Sequence, residues 1–239
     1  MSNFVISKKN LKRLLKDVAE IIKNPLNNEG IYYVHDDTDM FKGYAMIIGP
    51  DDTPYEGGYY FFKFMFSNEY PFKPPKVIYY MNDGATRFNP NLYKTGKVCV
   101  SILNTWKGET WTSCQNIRSV LLTLVTLLNE NPLTNEPGYS PSNKYCDPYK
   151  RQIEYMNFKI AIMRTLKFEE NSVPPDFIGF KPVIVKHFKE NKEVIIKRIL
   201  SLVDSEHDNK EDYVPVYNMR ITYNYSKLKN DFNELIKNY

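Results

Sequence analysis

Gly58-Tyr59-Tyr60-Phe61-Phe62-Lys63-Phe64-Met65-Phe66 decides the fold class. A run this dense in aromatic side chains, preceded by turn residues, reads as a strand. Successive side chains alternate, so Tyr60, Phe62, Phe64 and Phe66 share one face while Lys63 points to the other, and one sheet face is expected to pack on helices. Working outward, Ile31 to Val34, Met40 to Ile48 and Val77 to Met81 are also short, aromatic and β-branched. Polar or Gly/Pro segments such as Gly49-Pro50-Asp51-Asp52-Thr53-Pro54-Tyr55-Glu56-Gly57-Gly58 separate them, and an antiparallel four-stranded meander is the simplest arrangement.

Helical periodicity flanks these strands. Leu11, Leu14, Leu15, Val18, Ile21 and Ile22 predict a first helix with one buried face, capped by Ser7. Ile117, Val120, Leu121, Leu124, Leu127 and Leu128 predict another, with Thr112-Ser113-Cys114-Gln115 as a capping box. Asp147-Pro148 supplies the cap and first turn of a helix carrying Ile153, Met156, Ile160, Met163 and Leu166. Pro174-Pro175 marks a boundary, beyond which Phe180 to Val203 and Leu228, Phe232, Leu235 and Ile236 are helical and Tyr217, Met219, Ile221, Tyr223 and Tyr225 alternate like a strand. The expected class is α+β: a core over residues 1–168, the meander flanked by helices, and a mostly helical extension over 169–239 packed on it.

The composition, 42% hydrophobic and 25% charged over 239 residues, is that of a folded globular chain. Cys99, Cys114 and Cys146 are too few and too scattered for a disulfide framework or a zinc site, which favours a reducing compartment. The N-terminus lacks an apolar signal core, and Val120 to Leu128 is far too short to span a membrane, so an intracellular protein, cytoplasmic or nuclear, is expected. Residues 1–24 hold six Lys/Arg against Asp17 and Glu20, a surplus that equals the net charge of the whole chain, +4. Nucleic acid is not an expected partner, because the rest of the chain is balanced and offers no continuous basic face.

Periodicity fails from Thr86 to Thr110, and a long irregular stretch inside a compact domain is usually functional. It contains Phe88-Asn89-Pro90-Asn91-Leu92-Tyr93-Lys94-Thr95-Gly96-Lys97-Val98-Cys99-Val100-Ser101-Ile102-Leu103, which resembles the active-site signature of ubiquitin-conjugating enzymes: a His-Pro-Asn tripeptide, then Gly-x-Val-Cys-Leu with the cysteine eight residues after the asparagine. Gly49-Pro50 to Gly57-Gly58 and Tyr70-Pro71-Phe72-Lys73-Pro74-Pro75-Lys76-Val77 resemble two further signatures of that family, in the same order. The resemblance covers about residues 7–168. Asn89 in place of the usual histidine, the inserted Leu103-Asn104-Thr105-Trp106-Lys107-Gly108 run and Asn131-Pro132-Leu133-Thr134-Asn135-Glu136-Pro137-Gly138 look like the larger members with C-terminal extensions. One of these is charged by an atypical activating enzyme that handles ubiquitin and a second ubiquitin-like modifier.

The resemblance implies a UBC-like fold and an acyltransferase without metal or organic cofactor. Ubiquitin or a ubiquitin-like modifier passes from an activating enzyme to Cys99 as a thioester, then to a lysine of a protein substrate, with a ligase of the RING or another type. Asn91 implies an amide donor for the tetrahedral oxyanion or a support for the loop, two roles the sequence leaves open. Asn89, Ser101 and Asn135 support the active-site loop, with Asn135 or Glu136 nearest to a lysine gate. Lys8, Lys9, Lys12, Arg13 and Lys16 face the activating enzyme; Phe72 and Ser113 face the ligase. Competing readings are a buried structural Cys99, a plain turn residue at Asn91 and a hydrophobic plug at Phe72. Cys114 and Cys146 match no catalytic position and read as structural. A Cys-His hydrolase would need His35, His187 or His207 beside Cys99, and a binding module with the same fold is the rival from another class.

Overall fold

A computed structural model of the chain describes residues 8–80, 83–169, 172–203 and 206–239. Ser7 and Met81, read above as a cap and a strand end, lie outside the described residues. Helix α1 (Lys8–Lys23) turns Leu14, Val18 and Ile21 inward but leaves Leu15 and Ile22 exposed, unlike the apolar stripe read from the sequence. Asp17 takes an inward place because partners meet it there: the Tyr70 hydroxyl donates to it at 2.6 Å and Arg13 Nε at 2.9 Å. A buried carboxylate is tolerated when it is paired and hydrogen-bonded.

Strands β1 (Ile31–His35), β2 (Lys42–Ile48), β3 (Tyr59–Met65) and β4 (Lys76–Tyr79) form the expected antiparallel meander, in the order β1-β2-β3-β4. Register sets Tyr60 beside Ile47, Phe62 beside Ala45 and Tyr79, and Phe64 beside Gly43 and Val77, giving one continuous apolar face. On that face the Tyr60 ring meets Tyr55 and Phe88 edge-on, at 5.6 and 5.9 Å between centroids.

Helix α2 (Ile117–Leu127) buries Ile117, Val120, Leu121, Leu124 and Leu127. Its capping box is not Thr112–Gln115 but Asn116–Ser119: Ser119 N–H donates to Asn116 Oδ1 at 3.0 Å and Asn116 N–H to Ser119 Oγ at 2.9 Å. Asn116 holds the extended backbone of a cap, whereas Thr112 N–H is taken by Gln115 Oε1 in the turn before it.

Helix α3 (Cys146–Met156) has Tyr145 at its cap position, so Asp147 and Pro148 lie in the first turn and Asp147 is not the cap. Pro148 is harmless there, because first-turn N–H groups have no intrahelical partner. The helix widens into a π segment, Asn157–Arg164, and ends in a short turn, α4 (Thr165–Lys167). Asn157 is buried at the widening, donating through Nδ2 to Glu56 O at 2.9 Å and accepting the Tyr60 hydroxyl at 2.6 Å. Gly58 permits that approach; a Cβ there would lie 1.9 Å from Asn157 Oδ1.

After Pro174 the chain makes a 3₁₀ turn (Pro175–Phe180) and helix α5 (Lys181–Val203). A hairpin of β5 (Glu211–Val214) and β6 (Met219–Thr222) follows, then α6 (Tyr225–Ile236). The single strand expected through Tyr225 is therefore corrected: Tyr217 lies in the 3₁₀ turn of the hairpin and Tyr225 begins α6. The expected packing of the Tyr60, Phe62 and Phe64 face is found, and this segment covers the other face as well, for Tyr59 and Phe61 on the Lys63 face are fully buried. Phe177 lies 5.6, 5.1 and 5.3 Å from the rings of Tyr44, Phe61 and Tyr80, and Tyr59 OH lies 3.0 Å from His187 Nδ1. Arg198 adds ion pairs to Glu56 and Glu154.

Candidate active site

The isolated bridge Ile78↔Lys97 stitches the irregular segment to the sheet edge, and Leu92↔Val98 folds the segment on itself. Within it the spacing of Asn91 and Cys99 becomes a reciprocal pair: Cys99 N–H donates to Asn91 O at 2.9 Å, and Asn91 Nδ2 donates to Cys99 O at 2.6 Å. Asn91 N–H in turn donates to Asn89 Oδ1 at 2.9 Å. Asn89 is fully buried, its Nδ2 donating to Leu127 O at 2.7 Å and to the Tyr55 hydroxyl at 2.9 Å. An asparagine thus fills the histidine position with both a donor and an acceptor in use.

The Gly49–Gly58 turn explains itself from here. Gly49 N–H donates to Gly58 O at 2.8 Å, and a Cβ on Gly49 would fall 1.8 Å from Tyr55 O, so only glycine lets the turn close. The closed turn sends Tyr55 inward, where its hydroxyl donates to Phe88 O at 2.7 Å beneath the loop. On the other flank Asn135 Nδ2 donates to Leu127 O at 3.0 Å and reaches Asn89 Oδ1 at 3.4 Å, while Asn129 Nδ2 donates to Asn135 Oδ1 at 2.9 Å. Asn135 is part of the scaffold under the loop.

The Cys99 side chain is only 2% exposed, and its Sγ–H donates to Thr105 O at 2.9 Å. Thr105 Oγ1 accepts Val100 N–H at 2.9 Å and lies 2.9 Å from Val98 O, so one threonine grips the backbone on both sides of the cysteine. Sequence reasoning quoted Thr105 in the inserted run but gave it no role at the site. That run folds back: Asn104 Oδ1 accepts Trp111 N–H at 2.8 Å, and Gly108 comes so near Ser101 that a Cβ would stand 3.0 Å from Ser101 Cβ. Arg87 was missed as well. Its Nε and Nη2 donate to the carbonyls of Asn89 and Pro90 at 3.1 and 2.6 Å, and its guanidinium stacks 3.5 Å from the Tyr93 ring centroid.

None of the three histidines is a hydrogen-bond partner of Cys99 among the described residues. His35 lies between Tyr33 OH and Met40 O, His187 faces Tyr59, and His207 lies 3.8 Å from Glu206. Cys146 is buried, its Sγ 3.2 Å from Ser140 O, and burial with Asp147 beside it pushes its thiol pKa up. Cys114 is exposed, which corrects its reading as a structural thiol.

Lys8, Lys9, Lys12 and Lys16 are exposed on α1. Arg13 differs: besides Asp17 it donates to the carbonyls of Ser113 and Gln115, at 2.6 and 2.8 Å, and so ties α1 to the start of α2. Trp111 Nε1 donates to Pro71 O at 2.7 Å, joining the Ser113 loop to the loop of Phe72, which is 64% exposed. Among the described residues no helix is long and apolar enough to cross a membrane, and no cluster of His, Cys, Asp or Glu could hold a metal ion.

An α+β domain with one loop cysteine locked to an asparagine eight residues earlier is the class that fold and site define. The family model described as ubiquitin-conjugating enzyme matches residues 13–157, and the chain belongs to that family. Ubiquitin-conjugating enzyme E2 Z of Xenopus tropicalis is 39% identical over 181 residues, covering 74% of this chain and 56% of that protein. E2 Z of Homo sapiens is 41% identical over 155 residues, covering 64% and 43%. The chain thus spans about half the length of these curated relatives. The solved structure of human ubiquitin-conjugating enzyme E2 G1 aligns with a TM-score of 0.45 at 31% identity, over 52% of this chain and 97% of that one.

Proposed function

We propose that the chain accepts ubiquitin or a ubiquitin-like modifier as a thioester on Cys99 and transfers it to a lysine amine. The reciprocal Asn91–Cys99 pair carries this reading, the thiol itself donating to the Thr105 carbonyl. Exchange of one thioester for another needs little more. Cys99 sulfur bonds to the modifier's C-terminal carbonyl carbon, the bond to the activating enzyme's sulfur breaks, and the thiol proton ends on that leaving sulfur. The acceptor amine then bonds to the same carbon, Cys99 sulfur departs, and the amine proton returns the thiol or passes to solvent. Charging removes the hydrogen that Cys99 gives to Thr105 O, so that contact belongs to the uncharged protein.

One hydrogen of Asn91 Nδ2 holds Cys99 O, and its second can meet the oxyanion as it forms. Lys8, Lys9, Lys12 and Lys16 offer an exposed basic face to an acidic surface of the activating enzyme, tuning encounter as much as affinity. Arg13 serves this face from within, by fixing its angle to α2. Phe72 and the Ser113 loop, tied together through Trp111, form the ligase-facing surface. A second reading, a binding module of the same fold, draws on the burial of Cys99.

The deciding experiment incubates the protein with ATP, ubiquitin or other modifiers and a panel of activating enzymes, then runs a non-reducing gel. A thiol-sensitive adduct, absent in Cys99→Ala and thiol-resistant in Cys99→Ser, is the expected result. No adduct with any modifier, from folded protein, transfers the case to the binding module.

A further inference from the structure

We propose that Tyr217, in the hairpin of the C-terminal segment, is a positioning residue for Asn91 and Cys99, acting through Arg87 and Glu136. The inference rests on the transfer reading above and extends it to a residue outside the family model's match, which ends at 157.

Tyr217 sits in the 3₁₀ turn Pro215–Tyr217 between β5 and β6. Its ring lies 5.1 Å from the Arg87 guanidinium, which also lies 3.5 Å from the Tyr93 ring, so two aromatic rings meet the one cation. Held there, Arg87 donates to the carbonyls of Asn89 and Pro90, the two residues immediately before Asn91. The Tyr217 hydroxyl donates to Glu136 Oε2 at 2.6 Å, a charge-assisted bond. Glu136 directly follows Asn135, whose amide reaches Asn89 Oδ1 and Leu127 O. One side chain therefore grips both walls of the amide network that ends at Asn91 Nδ2 and Cys99 O.

The hairpin that delivers Tyr217 is itself fastened to this corner. Arg87 N–H donates to Met219 Sδ at 3.3 Å, Gln152 Nε2 donates to Asp212 O at 2.9 Å, and Arg151 pairs with Asp212 at 2.9 Å. The Tyr217 ring also packs 5.7 Å from that of Tyr149, whose hydroxyl donates to Arg87 O. A hairpin built merely to cover the core would not need to hold the backbone just upstream of the active asparagine.

The test uses the full chain and compares wild type, Tyr217→Phe and Tyr217→Leu, each with Asn91 intact and with Asn91→Ala. Discharge of the Cys99 thioester to free lysine is followed over a range of lysine concentrations and normalised to thioester present. Tyr217→Leu is expected to lower kcat about tenfold with little change in KM, since small misplacements at a reacting centre cost this much. Tyr217→Phe, which keeps the ring on Arg87, is expected to recover much of that loss. In the Asn91→Ala background the Tyr217 change should have almost no further effect, because residues acting through one group are not additive. Equal slowing in both backgrounds, or none, overturns the proposal. Should Tyr217→Leu fail to fold, Arg87→Lys, which loses the paired contacts to the carbonyls of Asn89 and Pro90, carries the same cycle with the same expected outcome. Alkylation of Cys99, mapped by mass spectrometry, needs no activating enzyme: faster labelling of Cys99 in Tyr217→Leu supports the link and unchanged labelling overturns it. If the wild type takes up no modifier while Cys99 labels faster in Tyr217→Leu than in the wild type, the transfer reading is retired and the link from Tyr217 to Cys99 stands.

Discussion

Asn89 shows how one substitution in a signature is absorbed. Its amide joins Asn91 N–H, Leu127 O and the Tyr55 hydroxyl in a site closed to water. Asn89→Ala orphans several of these groups, and an unmet buried donor or acceptor costs about 1–3 kcal/mol, which urea denaturation will show. For Asn91 the expected effect is on rate instead. Asn91→Ala should slow lysine discharge about 100-fold while charging on Cys99 persists, the size expected when one oxyanion donor is lost. A loss below a few-fold would leave Asn91 as a support for the loop alone. The residue types and their spacing were legible in the sequence, but the pairing of amide with carbonyl was not, because it depends on how the loop returns on itself.

At the level of elements, caps and close approaches decide where segments begin and bend. Asn116→Ala should destabilise the protein by about 1 kcal/mol through the start of α2, whereas Thr112→Ala should stay within about 0.5 kcal/mol. Reversed values would restore the box read from the sequence. Both positions carry capping residue types within a few places of the helix, and only the extended backbone at Asn116 separates them. The π segment is set by a tertiary demand, the burial of Asn157 between Glu56 O and Tyr60 OH. Gly58→Ala places a methyl against that amide and should cost about 1–3 kcal/mol in thermal or chemical unfolding, as overpacking does.

Over the whole molecule the C-terminal segment covers the second face of the four-stranded sheet. Phe177 is fully buried against Tyr44, Phe61 and Tyr80, and Phe177→Ala should cost about 3–5 kcal/mol in a urea titration. His187, on the same face, has its pKa lowered by burial, with Glu190 and Asp51 opposing. A lowered pKa means the unfolded chain takes up the proton first, so the contribution of His187 is full above its unfolded value near 6.5 and falls away as pH drops below it. His35 is lowered by burial too, against Asp36 and Asp39, and acts in the same direction. The midpoint of unfolding should therefore fall between pH 7 and pH 5, less steeply in His187→Gln. An identical slope in that variant would remove His187 from the account.

The sequence by itself determined the strands, the principal helices and the cysteine, since alternation, helical period and the Asn91–Cys99 spacing are local properties of the chain. It could not say that both faces of the sheet are covered, because Tyr59 and Phe61 are buried by Phe177 and His187, more than a hundred residues away. Nor could it say that Thr105 holds the thiol or that Tyr217 reaches Arg87 and Glu136. Those contacts join segments with no shared periodicity, and only packing in three dimensions brings such groups within hydrogen-bond reach.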